Sequence, residues 1–146
     1  MASSARINSV PALLLCLCLL CGCSRPTGGE IFVPAPRNAY QFCIPVEDSL
    51  AFYDFSFYTR VDKSGREGLL PREPLRLRIV WKAPSDTLFR ETVWLRPHYV
   101  KGTVCKYRTG VRFPQTGDWT LSVTITPQTK GFRGLGLVWD SYYGTR

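Results

Sequence analysis

Among its 146 residues the sequence has one histidine, one methionine and no run of five like charges. A single histidine, His98, excludes metal centres built from several imidazoles. It also leaves histidine-dependent catalysis without an identifiable nucleophile or carboxylate partner, so a surface position is expected for it. Glu47, Asp48 and Asp54 are the closest group of carboxylates, and Glu47-Asp48 reads as the cap of a turn. No GxSxG, HExxH, phosphate-cradling glycine loop or EF-hand spacing occurs, and Cys43 and Cys105 have no CxxC spacing. The sequence therefore offers no catalytic residues, no metal site and no cofactor motif, and the chain reads as a non-enzyme.

Long apolar runs are also missing. The longest uncharged one is Val10–Cys21, and a membrane-crossing helix needs about twenty apolar residues. After residue 23 no segment keeps a 3.6-residue apolar stripe for three turns, which argues against amphipathic helices. The composition is nevertheless globular, with 45% hydrophobic, 13% aromatic and 21% charged residues. The net charge of +8 is spread along the chain rather than gathered in a basic tail.

The apolar run follows a short polar start with Arg6, as in an export signal. Leu20-Cys21-Gly22-Cys23 then resembles a bacterial lipobox, in which an apolar residue and two small ones precede the lipidated cysteine. Small side chains let the peptidase approach the backbone, and the thiol accepts diacylglycerol through a thioether. Residues 1–22 are thus expected to be removed and Cys23 to be acylated, leaving 124 residues for one domain. Each buried methylene of an acyl chain contributes about 0.8 kcal/mol, so the lipid anchors the protein to a membrane. Export from the cytoplasm argues against nucleic acid as a partner.

Cys16, Cys18 and Cys21 leave with the signal, and Cys23 takes lipid. Cys43 and Cys105 remain as a candidate disulfide in a compartment that permits one, with two reduced thiols as the alternative. On the chain-entropy view such a bridge stabilises by about 4 kcal/mol.

Residues 23–39 are rich in proline and glycine and show no period, so they read as a tether to a domain over 40–146. Beyond it, two-residue alternation dominates. Tyr53, Phe55 and Phe57 form one row; Leu75, Leu77, Ile79 and Trp81 another. Trp119, Leu121, Val123 and Ile125 make a third row, with Leu135, Leu137 and Trp139 closing the chain. Phe89–Leu95 is strand-like, but which of its faces points inward is ambiguous. Turn formers and prolines separate these runs every dozen residues or so. The pattern predicts an all-β protein with a single antiparallel β-sandwich, immunoglobulin-like or jelly-roll-like.

Trp81, Trp119 and Trp139 fall on inward rows and are expected in the core. Trp94, Tyr99, Tyr142 and Tyr143 are candidates for an exposed contact surface. Arg76, Arg78 and Lys82 line the polar side of one strand, where they could meet an acidic partner, a glycan or anionic lipid.

The stretch Tyr107-Arg-Thr-Gly-Val-Arg-Phe-Pro-Gln-Thr-Gly-Asp-Trp-Thr-Leu-Ser-Val123 resembles a Phe-Pro-x-x-Gly-x-aromatic hairpin. That hairpin belongs to the gliding-motility lipoprotein GldH family of Bacteroidota. Gly131-Phe-Arg-Gly-Leu-Gly-Leu-Val-Trp139 is similar to the family's closing strand, in which a Gly-Leu pair follows a turn. Asp86-Thr87 before a central strand also fits, and the resemblance covers about residues 85–140. It implies an outer-membrane lipoprotein linked to gliding or to the secretion machinery that gliding depends on. No catalytic residues belong to that pattern. Ser24-Arg25-Pro26-Thr27-Gly28 lacks the acidic run that resembles a surface-export signal in this phylum, so a periplasmic orientation is expected. The leading expectation is an accessory envelope lipoprotein that binds another envelope protein. The alternative is a glycan- or lipid-binding sandwich that uses Arg76, Arg78, Trp94 and Tyr99.

Overall fold

The computed structural model describes residues 28–61, 74–96, 104–127 and 131–144. The expected export signal, Cys23, His98 and Tyr99 lie outside these residues. Eight strands follow one another: β1 (Gly29–Pro34), β2 (Tyr40–Val46), β3 (Phe52–Val61), β4 (Leu75–Lys82), β5 (Leu88–Leu95), β6 (Cys105–Val111), β7 (Gly117–Thr126) and β8 (Phe132–Tyr142).

They form two four-stranded antiparallel sheets, ordered β1-β8-β3-β6 and β2-β7-β4-β5. First pairs with last, second with seventh, third with sixth and fourth with fifth. A long hairpin folded once and rolled up gives this order, which is that of a jelly roll. Of the two sandwich types the sequence allows, the jelly roll is the one observed.

Alternation explains the core. Tyr53, Phe55 and Phe57 on β3 face Leu77, Ile79 and Trp81 on β4, with Leu121 and Val123 beside them on β7, and all are buried. The three tryptophans read as core residues, Trp81, Trp119 and Trp139, are at most 7% exposed. Tyr53, Phe55, Trp81 and Trp119 surround Phe113, with ring centroids 4.8–6.0 Å from it. Edge-to-face and tilted aromatic pairs at these separations add to the burial energy.

Two expectations need correction. The tether over residues 23–39 is too long, because residues 29–34 form β1 and pair with β8 from Gly29↔Trp139 to Pro34↔Gly134. Ile31 and Val33 pack against the core. Proline at the end of an edge strand costs no ladder bond, so a proline-rich stretch can still be a strand there. The folded unit therefore includes residues 29–34, ahead of residue 40.

The disulfide between Cys43 and Cys105 is the second correction, since both cysteines are free. Cys43 lies on the outward row of β2, while Cys105 lies on β6 in the other sheet. Stacked sheets sit about 10 Å apart, beyond the Cα reach of a disulfide, and Cys43 points away from the gap. The Cys105 thiol instead donates to the Arg96 carbonyl at 3.2 Å, and burial raises its pKa.

Candidate binding surfaces

Antiparallel register assembles the first surface. Arg76 and Arg78 alternate outward along β4, and β5 places Trp94 directly opposite Arg76 and Thr92 opposite Arg78. On the other side of β4, β7 sets Thr126 and Thr124 against the same two arginines. Trp94 is 66% exposed. Val80 and Arg90 form the next pair along, so Arg90 extends the cationic row. Neither Arg76, Arg78 nor Arg90 has an ion pair among the described residues. Lys82 differs, because Asp86 holds it at 2.8 Å. The predicted set thus comes together as Arg76, Arg78 and Trp94. Tyr99 cannot be placed with them, Lys82 is already paired, and Arg90 joins though the sequence did not mark it.

Part of the positive charge that is scattered in sequence is gathered by the fold. Arg37, Arg60, Arg76, Arg78, Arg96 and Arg133 lie at or near one end of the sandwich, set by the pairs Arg60↔Gly134 and Arg76↔Thr126. Contact between Tyr40 and Phe132 brings this end of the two sheets together. Of the described carboxylates, Glu47, Asp48, Asp54, Asp86, Asp118 and Asp140 lie toward the other end, together with Lys82 and Arg112, while Glu30 and Glu91 lie nearer the middle of the sheets. The first described strand starts at Gly29, level with Trp139 and Phe55, nearer the carboxylate end than the arginine end.

The second surface is a cleft of about 350 Å³ where edge strands β5 and β6 meet. Trp81, Phe113 and Trp119 floor it, Phe89 forms a lip, and Arg90, Arg108 and Arg112 stand at the rim. Phe89 is 50% exposed yet stacks over Trp119, 6.2 Å between centroids.

One polar chain ties this edge together. The Trp81 indole N–H donates to the Tyr107 hydroxyl at 2.9 Å, and that hydroxyl donates to Glu91 Oε1. Arg108 grips the same carboxylate through Nη2 at 2.6 Å and Nε at 3.2 Å. Glu91 is therefore an inward-pointing charge on β5, which is why the inward face of that strand was ambiguous in sequence. Burial alone would raise the Glu91 carboxyl, but the hydrogen bonds from Arg108 and Tyr107 together outweigh it and hold it below its ordinary value. Burial, reinforced by Glu91, pushes the Tyr107 phenol well above the usual range.

A depressed carboxyl stabilises the fold above its unfolded pKa near 4.5, and the contribution is lost as pH falls through the lower folded value. Urea unfolding of wild type and Glu91→Gln between about pH 2 and 7 measures it. The stability gap between them should be widest above about pH 4.5 and shrink steadily in more acid solution. A gap independent of pH would mean that the ionised form of Glu91 does not matter.

The other sequence candidates are structural where they can be seen. Asp48 caps its turn, accepting from the Leu50 N–H at 2.7 Å and from the Tyr143 hydroxyl at 2.8 Å. Asp54 accepts from the Gly110 N–H at 2.8 Å, within the irregular β3–β6 pairing. Tyr143 is exposed, whereas Tyr142 stacks on Phe52. Among the described residues, no three His, Cys, Asp or Glu side chains are grouped to hold a metal ion. No protein-family model, no curated protein and no solved structure matches this chain, so its function is read from these two surfaces and from the expected anchor.

Proposed function

We propose that this protein is a lipid-anchored, non-enzymatic binding module of the bacterial envelope. In this reading acylated Cys23 holds it to the outer membrane, facing the periplasm, and the β4–β5 face grips an acidic surface of another envelope protein. The machinery served is of the gliding or secretion type that the resemblance implies.

The observation behind this is the gathering of Arg76, Arg78 and Trp94 toward the arginine-rich end, while β1 starts at Gly29 nearer the other end. Residues 23–28 span at most about 20 Å when extended. Gly29 lies nearer the carboxylate-rich end, so an anchor at Cys23 favours that end toward its own membrane, with Arg76 and Arg78 farther from it. That orientation favours a partner over the protein's own lipid surface. An exposed tryptophan beside arginine is also the composition of interaction hot spots.

A photo-crosslinker at Thr92, used in the native envelope, tests the reading. One recurring protein product is expected, lost in Arg78→Glu and in Trp94→Ala while circular dichroism stays unchanged. Affinity for the product should fall at least tenfold in either variant, or about 1.4 kcal/mol. A second reading has one specific support: Trp94 beside Arg76, with the Thr124 and Thr126 hydroxyls in the next strand, could seat an acidic sugar. Binding on an array of acidic glycans and lipopolysaccharide that disappears in Trp94→Ala, with no protein crosslink, would replace the first reading with the second.

A further inference from the structure

Each sheet of a sandwich has two edges, and exposed edges invite another strand unless something blocks them. Three of the four edges here carry a block. β1 ends in Pro34 and has six residues. β2 has Pro45 within it. β6 loses register with β3 twice, and its Gly110 has a φ of +64°. The fourth edge, β5, has neither proline nor glycine, and its eight residues pair with β4 without a shift from Leu75↔Leu95 to Lys82↔Leu88. Its one inward charge, Glu91, would ordinarily deter pairing, but Arg108 and Tyr107 already neutralise it.

The same strand concentrates exposed apolar surface. Leu88, Phe89 and Trp94 are 43%, 50% and 66% exposed, and they are half of the exposed large hydrophobic side chains among the described residues. Beside the strand opens the aromatic-floored cleft, and behind it stand Arg76, Arg78 and Arg90 with no acid at the outward positions of β4 or β5.

We infer that β5 is a docking edge for strand addition, and that its occupant is an extended partner segment alternating apolar with acidic residues. Backbone N–H and C=O groups of the segment continue the sheet order β2-β7-β4-β5 by one strand. Side chains of the incoming strand alternate between faces, so one set enters the cleft over Trp81, Phe113 and Trp119 and the other meets Arg90 and Arg78. Charge selects this occupant over a second copy of the chain, because β5 pairing with β5 would bring two arginine faces side by side. The inference rests on the binding-module reading and names the form its partner takes.

A synthetic peptide of about seven residues, glutamate alternating with valine and phenylalanine, is the probe. Two N-methylated isomers accompany it, one blocking the odd and one the even backbone nitrogens. Strand addition predicts that one isomer binds like the parent and the other loses at least tenfold. It also predicts that the β5 amides not bonded to β4 become slow to exchange when the parent binds. Arg90→Glu should weaken the acidic peptide about tenfold or more, and a lysine-bearing peptide should restore binding to that variant.

Equal binding by both isomers, or no protection of β5, overturns the inference. So does β5 protection that rises with protein concentration alone, which would assign the edge to a second copy. If the peptide fails while the crosslinked partner still depends on Arg78 and Trp94, the edge is wrong and the binding module stands. If neither binds, both readings fall.

Discussion

Replacing Phe113 by alanine should destabilise the protein by about 3–5 kcal/mol, the cost of truncating a buried aromatic ring. At an m-value of about 2 kcal/mol/M this lowers the urea midpoint by about 2 M. Phe113 belongs to no strand; it sits in the connection between β6 and β7, the position usually least sensitive to change. Yet it is 5% exposed and lies between the two sheets, touching Tyr53 and Phe55 from one and Trp81 and Trp119 from the other. The Phe-Pro-x-x-Gly-x-Trp spacing of residues 113–119 gains a physical reason from this. Pro114 and Gly117, with a φ of +118°, turn the chain so that Phe113 and Trp119 close the same end of the core, 4.8 Å apart. Phe113→Leu, which refills part of the space, should recover more than half of the loss. A cost below about 1 kcal/mol for the alanine variant would show that the ring is peripheral to the core.

Gly134→Ala is expected to cost about 3 kcal/mol or more and to loosen β1 selectively. Two effects add. The residue has a φ of +148°, where a side chain brings strain of about 1–3 kcal/mol. A Cβ there would also stand 2.4 Å from the Val33 carbonyl oxygen and 3.0 Å from Pro34 Cα. Backbone atoms cannot swing aside, so overpacking of about 1–3 kcal/mol is relieved only if β1 moves off β8. Hydrogen exchange separates this from global loss: amides of residues 29–33 should lose protection before those of β3 and β7. Uniform loss across all strands, or a cost under about 1 kcal/mol, would count against a local clash.

Gly134 also shows where the sequence was legible and where it was not. Its Gly-Phe-Arg-Gly-Leu-Gly stretch reads as a turn or a close strand approach, and Gly134 and Gly136 are both places where a neighbour crowds the backbone. Gly136 lies under the Tyr58 ring, whose hydroxyl donates to Glu30 at 2.5 Å. Which neighbour would approach was not in the string, because β1 comes from a hundred residues earlier in the chain. Glu91 is a similar case. A carboxylate in an apolar row blurs the alternation of β5, and its partners, Tyr107 and Arg108, sit on another sheet.

By itself the sequence determined the all-β class, the sandwich and the buried rows of β3, β4, β7 and β8. A two-residue period is local, and it fixes which side chains a strand turns toward water. It also marked Arg76 and Arg78 as outward-facing, for the same reason, whereas the facing of Trp94 was settled only by its pairing with Arg76. Only the tertiary structure decided that β1 belongs to the fold, that Cys43 and Cys105 face different spaces, and that the strand order is a jelly roll. It alone gathered Arg37, Arg60, Arg76 and Arg133 at one end and left β5 as the unblocked edge. Register and sheet order arise from pairings between residues far apart in the chain, and no local pattern encodes which strands will meet.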